Sequence, residues 1–215
     1  MPYMLLSAFV SVNALVLVHT SIIYTIGIAG ASALRRDFSL GFLPWTLFVL
    51  VFSFNGHISA HLAAGHLPWI AYFLTPWVLW GAARLANGDH STRTHVACAA
   101  ALAGMILIGG WHVFVWSLLF LLFTCAWSVA SLRSLVIVGT MTALLGAARL
   151  APAVSTFGTG SNIFISGFPD LASMFAALAG SPVRSDVLDP WELDAFVGIL
   201  GLALLALGSV AYAIT

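Results

Sequence analysis

Apolar runs broken by short polar stretches recur along the 215-residue chain. Met4 to about Gly30 is long enough to cross a hydrocarbon core of about 30 Å at 1.5 Å per residue, and Arg35, Arg36 and Asp37 end it. That run is too long for the apolar region of a cleavable signal and lacks a basic leader, so it is expected to remain as a span. Leu40 to Phe54 is shorter, with Pro44 at a tolerated early-turn position and Asn55-Gly56 as a helix stop. His57 to Gly65 predicts about two helical turns lying in the interface. Pro68 can open the next helix, which is expected to reach Ala83 with a kink at Pro76. Trp69 and Tyr72 suit the aromatic belt at a membrane surface. Arg84 to Thr94 is a polar loop around the turn Asn87-Gly88-Asp89.

Val96 to Leu132 carries no formal charge over 37 residues, too many for one span of ordinary tilt. The pair Gly109-Gly110 near its middle predicts two helices joined by a tight turn. Arg133 is expected to end the second of these, Ser134 to about Ala148 to form another helix, and Arg149-Leu150-Ala151-Pro152 to end or kink it. Gly158 to Trp191 is a long polar connection in which Asp170 to Ala179 could form a short surface helix, and Ala195 to Ile214 is the last span. The expected fold is all-α: a polytopic integral membrane protein of about seven transmembrane helices, with a short interfacial helix after the second. Residues 1–215 make one transmembrane domain, with 158–191 as an extracytoplasmic loop.

Composition fixes the class independently. Hydrophobic residues make up 61% and charged residues 7% of the chain, and the mean hydropathy is +1.07. Too few polar groups remain to cover a soluble surface. Lysine is absent and seven arginines balance seven acids, which excludes a polybasic lipid anchor and a nucleic-acid footprint. Cys98 and Cys125 lie in apolar runs outside any metal or redox spacing and read as buried small hydrophobes.

Orientation follows from the arginines. Seven spans with an external N-terminus put Arg35, Arg36, Arg84, Arg93 and Arg133 on one side and Arg149 and Arg184 on the other, which makes the first side cytoplasmic. The opposite face then collects Asn55, His57, His61, His66, Trp111, His112, Arg149, Arg184, Asp186, Asp189, Glu192 and Asp194. Polar side chains gathered at the edge of a hydrocarbon layer are costly and point to function.

Several chemistries can be weighed for this face. His57 and His61 share one helix face, roughly 40° apart, whereas His66 falls near the opposite side if the helix continues. Two histidines without a cysteine or acid at ligand spacing do not make a metal set, so no metal is assigned. No paired-helix haem pattern involves His19, His57 or His112, and no cofactor is expected. Ser59 and Ser161 lack a nucleophile elbow, and Gly158-Thr159-Gly160 is not a phosphate loop. Anion recognition remains: Arg149 at a helix end could hold a phosphate headgroup through charge-assisted hydrogen bonds, or else extend to the interface as an ordinary surface arginine. The candidate binding set is Asn55, His57, His61, His66, His112 and Arg149.

The segment from Phe54-Asn55-Gly56-His57 through Gly65-His66-Leu67-Pro68-Trp69 to Thr75-Pro76, followed by Ala148-Arg149-Leu150-Ala151-Pro152, resembles the middle portion of bacterial C-type glycosyltransferases. The resemblance covers about residues 40–152. It implies a polytopic helical fold in a bacterial inner membrane, a polyprenyl-phosphate sugar donor and an active site on the extracytoplasmic face. That family carries a catalytic acid in its first extracytoplasmic loop. Here the first connection, residues 31–41, is basic and falls on the cytoplasmic side, so no catalytic residue is assigned. The chain reads either as part of a longer enzyme or as a reduced relative without catalysis. The alternative is an accessory subunit of a larger membrane complex, respiratory or photosynthetic; in either case the partners are lipids, a lipid-linked sugar or other membrane subunits.

The topology is directly testable. With Cys98 and Cys125 replaced, a single cysteine at Ser161 should react with an impermeant thiol reagent in intact cells and one at Asn87 should not. Equal labelling at both positions would overturn the threading.

Overall fold

The computed structural model describes residues 9–54 and 56–157, the backbone alone at His57 and 154–157, and the isolated positions Ala172, Ala203 and Leu207. Arg184, Asp186, Asp189, Glu192, Asp194 and the expected last span lie outside the described residues. Among the described residues there is no strand. The helices are α1 (Val12–Asp37), α2 (Phe42–Ser53), α3 (Gly56–Ala63), a 3-10 helix (Leu67–Leu74), α4 (Thr75–Ala86), α5 (Thr92–Ile108), α6 (Trp111–Cys125) and α7 (Val129–Phe157). They fall into two compact units, one holding 9–54 with 67–157 and the other holding 56–66.

Local chemistry sets the helix ends. The Ser11 hydroxyl accepts the Ala14 N–H at 3.3 Å and the Ser91 hydroxyl that of Thr94 at 3.4 Å, N-caps for α1 and α5. Gly109, with φ of 95°, closes α5 in the left-handed region, its N–H directed at the Met105 and Ile106 carbonyls. The expected tight turn at Gly109-Gly110 is present.

Three expected boundaries are corrected. Pro76 does not kink one long helix; the chain runs as a 3-10 helix to Leu74 and restarts with Pro76 in the first turn of α4. Proline has no N–H for the carbonyl four residues back, and that carbonyl, Tyr72, instead accepts the Thr75 hydroxyl at 2.8 Å. Arg133 does not end a helix: α6 stops at Cys125, and Ser128, accepting the Ser131 N–H at 3.4 Å, starts α7. Nor do Arg149 and Pro152 end theirs, since α7 continues to Phe157 with Pro152 inside it. A single proline removes one backbone hydrogen bond, which a 29-residue helix packed along its length can lose and still continue.

Among the described residues, three helical stretches are long and apolar enough to cross a membrane: Val12–Asp37, Phe42–Ala63 and Val129–Ala153. The helices α5 and α6, with 17 and 15 residues, are shorter. Exposed apolar side chains such as Ile22, Leu119, Phe123 and Leu144 cover the outside of this arrangement, as fits an integral membrane protein surrounded by lipid.

The core of the larger unit is built on α5, which packs against α4, α6, α7 and the 3-10 helix. Leu102, Met105 and Ile106 of α5 are fully buried, as are Val78, Trp80 and Leu85 of α4 and Leu121 of α6. Close crossings rest on small residues. A Cβ at Gly81 would overlap Cys98 Sγ, and one at Gly27 would overlap the Phe73 carbonyl. At the second crossing the Trp77 indole N–H donates to the Ile26 carbonyl at 2.8 Å, and Phe52 of α2 stacks on Tyr72 with ring centroids 5.4 Å apart.

Gly81→Val should therefore lower stability in detergent by about 1–3 kcal/mol, the usual cost of overpacking. Gly139→Ala, whose Cβ meets nothing within 4 Å, should be neutral or gain up to about 1 kcal/mol. Thermal unfolding followed by circular dichroism distinguishes the two, and equal shifts would contradict the α4–α5 crossing.

Candidate functional site

The candidate residues fall into two groups. His112 and Arg149 belong to the larger unit, and His61 and His66 to the smaller one. Asn55 lies outside the described residues, and His57 is placed in α3 by its backbone.

In the larger unit the Gly109-Gly110 turn is the organising feature. A Cβ at Gly110 would overlap that of Ala71 and lie 2.9 Å from the Pro68 carbonyl, so only glycine lets the turn seat against the 3-10 helix. This brings Trp69 beside His112, their rings nearly parallel at 7° with centroids 6.1 Å apart. Trp116, one helical turn further along α6, lies 6.0 Å from Trp69 and 6.3 Å from His112. On the other side of the turn, Arg149 Nη1 donates to the Leu107 carbonyl at 3.2 Å, and a Cβ at Gly109 would lie 2.8 Å from Arg149 Nη2. The guanidinium thus caps the C-terminus of α5, where a cation is favoured by the exposed carbonyls. A half-buried cation and an aromatic shelf flank the same turn.

The sequence singled out His112 but assigned Trp69 only to the belt and did not use Trp116. Spacing of four residues on one helix, 112 to 116, was the available sign. The contact with Trp69 joins residues 43 apart and depends on the packing of the glycine turn.

In the smaller unit His66 is not on the side opposite His61, contrary to the expectation from a continued helix. Gly65 adopts φ of 84°, its N–H bonds the Leu62 carbonyl at 3.1 Å, and the His66 N–H bonds the His61 carbonyl at 2.9 Å. These two bonds define a Schellman turn, which folds the chain back over the last helical turn. His61 Nδ1 and His66 Nδ1 consequently approach to 3.2 Å, and His61 is buried.

A third polar cluster was read from sequence only as loop and helix end. Arg84 Nη1 donates to Asp37 Oδ2 at 2.6 Å, and its Nη2 pairs with Asp89. Asp37 Oδ2 also accepts the Trp80 indole N–H at 2.8 Å. Asp89 accepts the Thr94 hydroxyl at 2.9 Å and the Ser91 N–H at 3.0 Å. Burial pushes the Asp89 carboxyl up, but the donors from Ser91, Thr94 and Arg84 outweigh it and hold the group well below the usual carboxylate range. The cluster sits at the N-terminus of α5 and the glycine turn at its C-terminus, about 25 Å apart at 1.5 Å per residue.

Searches of the chain against protein-family models, curated proteins and solved structures return no match. Fold and polar clusters together fit a helical membrane protein.

Because its carboxyl is depressed in the folded state, Asp89 contributes stability that is complete above the unfolded carboxylate pKa of about 4 and is lost as pH falls below it. The difference in melting temperature between parent and Asp89→Asn should be level from pH 8 to 5 and shrink below about pH 4. Arg84→Met, which leaves two carboxylates facing each other, should cost about 1.5–3 kcal/mol at pH 7. A pH profile identical in parent and Asp89→Asn would argue against the assigned pairing.

Proposed function

We propose that the chain binds a phosphate-bearing lipid of the polyprenyl-phosphate class at its extracytoplasmic face, in the manner of a glycosyltransferase, within a topology of about seven spans. The observation that carries this reading is the guanidinium of Arg149 held over Gly109, with Trp69, His112 and Trp116 on the other side of the same turn. One of the five guanidinium N–H groups serves the Leu107 carbonyl. A planar fork of this kind suits bidentate recognition of phosphate oxygens. The aromatic shelf supplies an amphipathic surface for the ring or first isoprene units of the ligand. Sugar transfer at this site is what the resemblance to the C-type glycosyltransferases implies.

A second reading, a non-catalytic subunit of a larger membrane assembly, is favoured by one observation. Asp37 and Asp89, the two acids among the described residues, are both paired with Arg84, at the far end of α5 from the glycine turn. Neither is set to act as a base there.

Arg149→Ala should weaken binding of a polyprenyl phosphate by about 1.5–3 kcal/mol, the worth of a hydrogen bond to a charged group. Arg149→Lys should recover only part of this, because an ammonium lacks the bidentate fork. Titration of the detergent-solubilised protein with the lipid phosphate and with its uncharged alcohol is the decisive comparison. Equal affinities for the two ligands would eliminate the phosphate site and leave the accessory-subunit reading.

A further inference from the structure

The Schellman turn after α3 places two imidazoles where such turns usually bring together two apolar side chains. His61 occupies the third position from the helix end and His66 the second position beyond the cap, the pair that this turn sets in contact. The His66 N–H to His61 carbonyl bond at 2.9 Å fixes one main chain against the other, and the two Nδ1 atoms lie 3.2 Å apart. Metal–imidazole bonds are about 2.0–2.1 Å long, and two of them at a near-tetrahedral angle separate their nitrogens by about 3.3 Å. The observed separation matches that bite.

We propose that His61 and His66 form a bidentate imidazole site for a divalent transition-metal ion of the zinc and copper class. Without metal, one ring carries its proton on Nδ1 and donates it to the other. On binding, that proton moves to Nε2 of the same ring, both imidazoles stay neutral, and both Nδ1 lone pairs face the ion. Among the described residues no group of three His, Cys, Asp or Glu is arranged to hold a metal, and the proposal is confined to the two positions that these imidazoles supply. Imidazole pairs select borderline ions over hard ones such as Mg²⁺. The site is independent of the Arg149 reading, because the two rest on different units of the chain.

The full chain, purified without a polyhistidine tag in detergent, is titrated with Zn²⁺ against a chromophoric chelator. One equivalent should bind, and Mg²⁺ at the same concentration should not compete. His61→Ala and His66→Ala should each weaken binding at least tenfold. Gly65→Val, which keeps both histidines but strains the left-handed position, should weaken it as well, whereas His90→Ala and His112→Ala should not. Circular dichroism confirms that each variant keeps the parent's helix content. For any variant that fails to fold, electron paramagnetic resonance of Cu²⁺ bound to the unaltered protein replaces it, with two coordinated imidazole nitrogens expected. No Zn²⁺ binding, binding unaffected by either His61→Ala or His66→Ala, or fewer than two imidazole nitrogens on Cu²⁺ would overturn the site.

Discussion

The pairing of Arg84 with Asp37 and Asp89 is the constraint on which the larger unit turns. Asp37 ends α1, where the helix carbonyls already present negative charge, an unfavourable place for a carboxylate. It is held by Arg84 from α4, by the Trp80 indole and by Arg36 beside it. The same guanidinium reaches Asp89 just before α5. One side chain therefore fixes the ends of three helices together, in a chain with little other polar surface for the task. Leaving any partner alone would strand a partly buried charge, so the three segments are coupled more tightly than apolar packing alone would require.

Much of the helical outline is legible in the sequence, because long apolar runs and glycine stops act locally. The short helix Gly56–Ala63 and the break at Gly109-Gly110 follow from such signs. What misleads is treating single charges and prolines as terminators. Arg133 lies inside α7 on an exposed face, where an arginine at a membrane boundary needs no helix end. Pro152 lies inside the same helix, and Pro76 opens a new one because the preceding segment tightened to 3-10 geometry. In each case the outcome depends on what replaces a missing hydrogen bond, which residue type alone does not reveal.

The candidate residues show the same division. Arg149 was placed at a helix end, and the structure puts it at one, but the end it serves belongs to α5 rather than to its own helix. His66 would face away from His61 only if the helix continued across Gly65, and it does not. A glycine in the left-handed region reverses the chain, so residues five apart can meet more closely than residues four apart on the helix itself. The pattern of a histidine three residues from a helix end, with Gly-His following the cap, is a readable local motif once that reversal is included.

The two ends of α5 are complementary to its dipole. Asp89 stands at the N-terminus and Arg149 at the C-terminus, each supplied by a residue outside the helix and each favoured by about 0.3–1 kcal/mol in exposed settings, more where partly buried. Arg149 is thus already committed to stabilising α5 before any ligand arrives. An anion bound to its remaining N–H groups would compete with the Leu107 carbonyl for orientation while strengthening the reason for the guanidinium to stay at the turn. Binding at this end would consequently be linked to the stability of the helix at the centre of the core. A ligand that pulled Arg149 away from Leu107 would meet that cost, whereas one that shared the fork would not.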